Sequence, residues 1–471
     1  MSTRIEHDLL GNKEIPLDAY YGVQTLRAME NFDNISGITI SAYPEYVKAL
    51  ATVKWAAAKA NHQLGLLTDE VANAITQACD EIIEGQFHDQ FLVDMIQGGA
   101  GTSTNMNINE VVANRALEIM GHNKGEYEYC HPNNHVNLSQ STNDAYPTSF
   151  KLAFINMNKK LVAELGLLIN SFKAKGEEFK DILKMGRTQL QDAVPMTLGQ
   201  EFNAFSVTLS EEVERLNQMA ELLLWTNMGA TAIGTGINSE PEYPDLVDSY
   251  LREKTSLDIQ KSPDFIEATP DTGAVVMYSS AMKRMAIKLS KICNDLRLLS
   301  SGPRCGLNEI NLPPMQPGST IMPGKVNPVI PEVVNQICFK VIGNDVTVSF
   351  AAEAGQLQLN VMEPVMVHTI FSSIRMLMKG MNRLRTLCVD GITANAEHCH
   401  NMVLNSIGIV TALNPTIGYE AATRVAKRAL DEQRSVYDLV LEEKLLTKEE
   451  LDELLQPEMM IKPHKFYLKK S

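Results

Sequence analysis

The sequence predicts an all-α protein with a central bundle of long helices, and three observations carry that prediction. Tyr278, Met282, Met285, Leu289, Ile292, Leu296 and Leu299 are spaced in alternating steps of four and three, the heptad period of a packed helix face. Phe154, Met157, Leu161, Leu165, Leu168 and Phe172 repeat the pattern with one drift, and Phe202, Phe205, Leu209, Val213 and Leu216 give a third stripe. Turn signals are few between about 147 and 395, so these stripes read as successive long helices. At 471 residues the chain is too long for one simple core and suggests about three domains. They are a mixed, mostly helical N-terminal domain over 1–140, the central long-helix bundle over 141–396, and a small C-terminal helical domain over 397–471. Long helices in succession are expected to bundle between subunits, making a homo-oligomer.

Taken in order, Gly11, Pro16, Gly22 and Gly37 break the start of the chain, and Pro44 to Leu66 then reads as helix. Thr68 caps a second helix whose apolar positions Val71, Ile75, Cys79 and Ile82 keep helical spacing. The stretch Gln97-Gly98-Gly99-Ala100-Gly101-Thr102-Ser103-Thr104 lacks the lysine of a P-loop and the glycine spacing of a dinucleotide fingerprint. It is a tight turn leading into a helix from Asn107 to Met120. His131 and His135 stand four apart, but Pro132 and two asparagines between them oppose a metal-binding helix. Ser141, Thr142, Asn143 and Asp144 are four cap-type side chains before the first long helix. They are equally a cluster of short hydrogen-bonding groups at a positive helix end, suited to a carboxylate.

Gly186 to Pro195 is a polar interruption between helices and reads as a loop. Residues 353–364 interrupt the helices again, with Pro364 kinking or restarting one. Past 397 the helices shorten, and Thr447 to Glu450 forms a capping box. The tail from Lys462 to Ser471 reads as a solvated end.

Formal net charge is −15, from 57 acidic and 42 basic residues, a field that repels nucleic acid and anionic membranes. No basic start followed by an apolar run is present, and no stretch approaches the roughly 18 apolar residues of a membrane span. Seven cysteines without close pairs fit a reducing, cytoplasmic compartment.

The most informative stretch is Gly318-Ser319-Thr320-Ile321-Met322-Pro323-Gly324-Lys325-Val326-Asn327-Pro328. Glycine and proline punctuate a loop, and Asn327 before Pro328 is the order of an N-cap and a first helical residue. Hydroxyls, one ammonium and exposed helix amides then share a loop, an arrangement suited to an anion. The plainer reading is a surface loop with good turn chemistry.

These residues carry a resemblance. The segment is similar to the signature loop of the fumarase/aspartase superfamily, G-S-x-x-M-P-x-K-x-N-P, and matches it at every fixed position. Gly186 to Pro195 resembles the second signature, G-R-T-x-x-Q-D-A-x-P. Fumarases usually carry His where this chain has Gln189, and one group of aspartases carries Gln. The segments from Asp18 to Thr25, 353–364 and Asn405 to Thr411 extend the likeness over essentially the whole chain.

What the resemblance implies is a tetrameric helical core, with sites shared between subunits. The chemistry implied is reversible removal of ammonia from L-aspartate to give fumarate, with no organic cofactor required and with divalent-cation (Mg) activation as an option. Abstracting a Cβ proton beside a carboxylate creates a dianionic aci-carboxylate, which needs preset donors. By carry-over, Ser319 is the base. Thr102, Ser141, Thr142, Thr188 and Thr320 are hydroxyl contacts, Lys325 and Asn327 hold the other carboxylate, and Asn143 and Gln189 meet or orient the amino group. Relatives use the 131–137 segment for a second anion or activator site, with Asp where this chain has Asn134. Two rival readings remain, a class II fumarase on the same framework and a catalytically silent helical assembly.

Overall fold

The computed structural model describes residues 2–463, so the tail read from Lys462 to Ser471 lies outside the described residues beyond its first two positions. The chain forms two compact units of discontinuous segments. One takes the chain up to Ala163, then Glu214–Ala286 and Phe339–Met378; the other takes Glu164–Val213, Ile287–Cys338 and the described residues from Lys379 on.

Helix dominates, as the periodicity predicts. Long helices run Thr142–Glu178, Leu198–Glu221, Gly273–Leu299, Val329–Glu353 and Glu363–Leu387. The stripe from Tyr278 to Leu299 is buried throughout, as is the stripe from Phe154 to Phe172. Polar clamps fix register where these helices meet. In the first unit the buried Asp345 carboxylate accepts from the Ser279 and Ser280 hydroxyls and pairs with Lys283. In the second, the Asn335 amide donates to Ser290 and to Asn294 Oδ1. A buried amide with every partner met permits one alignment and makes slipped ones costly.

The heptad stripes therefore close inside a single chain. A different apolar set stays open: Phe339, Val346 and Phe350 share one face of Val329–Glu353 and are 59%, 52% and 71% exposed. The case for association rests on this second face.

In the first unit, the helices Pro44–Gln63, Asp69–Ile83 and Thr102–Ile119 pack together. Thr68 caps the second of these by accepting from the Val71 amide. Thr102–Ile119 starts five residues before the expected Asn107, because Gly99, Ala100 and Gly101 all take positive φ and complete the turn early. The broken start of the chain is an antiparallel hairpin, Thr3–Asp8 with Gly11–Pro16. His131 to Val136 is not free of helix: Pro132–Val136 forms one π-helical turn.

In the second unit, 186–195 is a hairpin and not a loop. Strand Leu183–Thr188 pairs with Gln191–Thr197, and a register shift falls between Met185 and Arg187. Short helices from Ala396–Asn405 to Pro457–Met460 close the chain around Leu413, Val425, Leu439, Val440 and Leu451. The capping box of Thr447 and Glu450 forms as expected.

Candidate active site

The first unit carries Thr102, Ser141, Thr142 and Asn143. The Gly-rich turn ends at Gly101, whose φ is +87° and whose missing Cβ would stand 2.5 Å from the Tyr146 ring. Only glycine allows this approach, and it leaves Thr102 exposed as the first residue of its helix.

Ser141 acts as the helix cap. Its Oγ accepts from the Asn143 amide at 3.2 Å, and its own amide donates to Asp144 Oδ1 at 3.0 Å. Pro147 sits inside the second turn and has no N–H to give the carbonyl four residues back. That carbonyl belongs to Asn143, and it accepts from Asn227 Nδ2 at 3.0 Å instead. The Asn143 side chain donates through Nδ2 to the Ala232 carbonyl at 2.7 Å.

Beneath this turn lies a buried polar network that sequence reasoning missed. Lys54, 1% exposed, points its ammonium at Asn105 Oδ1, Gln140 Oε1 and Asn137 Oδ1, at 2.7, 2.8 and 3.1 Å. Asn105 Nδ2 in turn donates to Thr142 Oγ1 at 3.2 Å. Burial pushes the Lys54 amine down to about 7, opposed by the Asp144 charge. Burial also pushes the Asp144 carboxyl up to about 7, opposed by backbone amides and Lys54. Three oxygens around Lys54 and three amides around Asp144 are the surroundings of an ammonium and a carboxylate, so we assign both as charged at neutral pH. The one signal in the sequence was a lysine inside an alanine-rich helix with almost no polar face.

A cavity of about 480 Å³ opens here, lined by Asn137, Gln140, Ser141, Thr231, Ala232 and Asn238 among others. His131 Nδ1 accepts from the Asn133 and Asn134 amides, and His135 Nδ1 from the His131 amide. Among the described residues no cluster of three or more His, Cys, Asp or Glu side chains is placed to hold a metal.

The second unit carries Thr188, Gln189, Ser319, Thr320, Lys325 and Asn327. Loop 318–327 closes on itself. The Gly318 amide donates to the Lys325 carbonyl at 2.7 Å, and Asn327 Nδ2 to the Gly318 carbonyl at 2.8 Å. Asn327 is thus a staple of the loop base and not the side-chain cap expected of it, and the helix is Val329–Glu353. Inside the loop, Ser319 Oγ accepts from the amides of Ile321 at 3.2 Å and Met322 at 3.0 Å. Lys325 is exposed and has no ion pair among the described residues, and Thr320 is exposed beside Ser319. Ser319 and Lys325 line one cavity of about 450 Å³.

Thr188 and Gln189 stand exposed at the hairpin tip. Gln189 and Leu190 form its two-residue turn with φ of 55° and 61°, where Asn-Gly would be usual. Strain in such a turn persists only where the base is firmly held. Here Arg187 Nη1 meets Glu309 Oε1 at 2.5 Å, and Lys184 Nζ lies 2.7 Å from Oε2 as a charge contact. Glu309 is fully buried and Lys184 is also paired with Glu201 at 2.5 Å.

Comparison with known proteins adds the following. Residues 11–343 match the family described as Lyase, and residues 409–462 the family described as Fumarase C C-terminus. Aspartate ammonia-lyase of Pseudomonas aeruginosa is 62% identical over 98% of both chains. That of Escherichia coli is 59% identical over 98% of this chain and 96% of its own. Among solved structures, a Brucella melitensis protein titled fumarate lyase:delta crystallin, bound to cobalt, superposes with TM-score 0.95 at 52% identity. That match covers 98% of this chain and all of the other. A class II fumarase of Schistosoma mansoni gives 0.92 at 34% identity, over the same shares.

Proposed function

The chain belongs to the fumarase/aspartase superfamily and is an ammonia-lyase acting on L-aspartate, and from that premise we propose how its residues divide the reaction. Ser319 Oγ removes a proton from Cβ. The electron pair moves into the adjacent carboxylate to give the aci-carboxylate, then returns to form the double bond as the Cα–N bond breaks. Ammonia leaves with that bonding pair, and fumarate remains.

The observation that supports this reading best is the pair of amides on Ser319 Oγ. A serine hydroxyl is a poor base, and its alkoxide needs stabilisation before it can act. Two N–H groups already directed at the oxygen supply part of it, and Lys325 in the same cavity adds positive charge. Lys325 and Asn327 are assigned to the carboxylate remote from the reacting carbon, with Asn327 also holding the loop closed. Thr102, Ser141, Thr142, Thr188 and Thr320 are assigned to the aci-carboxylate, where losing one donor costs about 3 to 4 kcal/mol of barrier. Gln189 and Asn143 receive the amine.

The two groups of residues belong to different units, and we propose that several copies of the chain, in a homotetramer, combine them. The open Phe339, Val346 and Phe350 face supports such association. The reading needs no organic cofactor, leaves Mg as an activator outside the chemical steps, and places the protein in the cytoplasm. Its seven cysteines are all free, and no described helix is long and apolar enough to cross a membrane.

Incubating the purified protein with L-aspartate, and separately with L-malate, and following fumarate's ultraviolet absorbance tests the reading. Fumarate from aspartate is the expected result. Fumarate from malate alone would make the chain a fumarase.

Gly318→Ala addresses the loop. A Cβ there would stand 2.5 Å from the Lys325 carbonyl and 2.9 Å from the Asn327 amide nitrogen, prising open the loop base. We expect kcat/KM for aspartate to fall by about 10- to 100-fold through misplacement of Ser319. Thermal unfolding should change little, because the loop is exposed. Unaltered kcat/KM would show that loop closure does not set the position of the base.

A further inference from the structure

We propose that Asp144 is a positioning residue that turns the Asn143 side chain to receive the substrate amine, acting through the loop 229–232. This rests on the ammonia-lyase reading and deepens it. Asp144 Oδ2 accepts the amides of Gly229 at 3.2 Å and Thr231 at 2.9 Å, while Oδ1 accepts the amide of Ser141 at 3.0 Å. One buried carboxylate thereby ties the loop to the first turn of the Thr142–Glu178 helix.

The next residue of that loop finishes the linkage. The Ala232 carbonyl meets the Asn143 side chain at 2.7 Å. A carbonyl only accepts, so the amide nitrogen of Asn143 must face it, and Oδ1 is the end left for a ligand. An ammonium is a cluster of donors, and an amide oxygen with its orientation fixed is a suitable acceptor.

The loop does not hold this geometry unaided. Thr231 sits at φ 55°, a conformation that β-branched residues resist. The grip of Asp144 on the Thr231 amide opposes that strain. Thr231 lines the same cavity as Ser141 and Ala232, and its Oγ1 is buried with no hydrogen-bond partner among the described residues, so nothing else holds this side chain in place of the backbone grip.

The test uses the reverse reaction, because fumarate carries no amine and ammonium carries nothing else. Asp144→Asn replaces one accepting oxygen with a donor facing backbone N–H groups. In the folded variant we expect KM for ammonium, at saturating fumarate, to rise about tenfold or more. KM for fumarate, at saturating ammonium, should stay within about twofold. A merely structural role would raise both, and an unchanged ammonium KM would overturn the proposal.

Action through Asn143 is tested by the double variant. On an Asn143→Ala background, Asp144→Asn should add less than about twofold to the ammonium KM. Full additivity would show that Asp144 does not work through Asn143. If the Asn variant does not fold, Asp144→Glu keeps the charge but displaces it by one methylene, and the same pair of KM values decides. Failure of the ammonia-lyase reading shows separately, as absent turnover of L-aspartate by the unaltered protein.

Discussion

Ser319→Ala is expected to lower kcat for fumarate formation from L-aspartate by about a thousandfold, with KM changed far less. The side chain is lost as base, while the hydroxyl donors and Lys325 that bind both carboxylates remain. Binding and chemistry therefore separate. Stability should be nearly untouched: the two accepted amide bonds lie in an exposed loop, and each is worth about 1 kcal/mol at most. Fumarate absorbance under saturating aspartate, beside a thermal melt, measures both quantities. A folded variant retaining more than about a tenth of wild-type kcat would remove Ser319 as the base and turn attention to another group.

The second large effect is on stability. Glu309→Ala should destabilise the protein by about 3 to 5 kcal/mol in urea unfolding, because it removes the fully buried partner shared by buried Lys184 and partly buried Arg187. Lys184 would keep Glu201. Among the described residues Arg187 would keep the Met185 carbonyl at 3.3 Å and the Met402 sulfur at 3.8 Å, neither of them charged. Arg187 directly precedes Thr188 and Gln189, so whatever folded protein remains should also bind the substrate amine poorly. A loss below about 1 kcal/mol would mean that water or a rearranged Glu201 compensates Arg187.

The long helices were legible because a repeat of 3.5 sustained over many residues has no competing explanation. The hairpin at 183–197 was not, since its strands are short, carry little alternation, and turn through Gln189-Leu190 where no asparagine or glycine advertises positive φ. Site residues were legible wherever a local motif carried them, as at 318–328. Asn327 shows the limit of such reading. Its place before Pro328 signals a cap, yet the approach of Gly318 draws its amide across the loop instead. Lys54 showed only as a lysine in an alanine-rich helix and Asp144 only as one of four cap-type residues; Asn105 and Glu309 left no local pattern, because what gathers their partners is tertiary packing. Sequence neighbours say little about a lysine whose ligands come from residues 105, 137 and 140.

Pro147 has a consequence for the order in which this protein folds. Most helix ends complete their bonds with residues a few positions away, but here the Asn143 carbonyl waits for Asn227, 84 residues further along the chain. Asp144 similarly waits for Thr231, 87 residues away. Contacts of such long range form only after the intervening chain has collapsed. The nascent helix can propagate early from its apolar middle, whereas its first turn stays frayed until the distant loop arrives. Pulse-labelled hydrogen exchange during refolding should find the amides of Asn143 and Thr231 protected together, and later than those around Leu161. Protection of the Asn143 amide as early as those around Leu161, ahead of Thr231, would mean that the turn needs no distant partner to form.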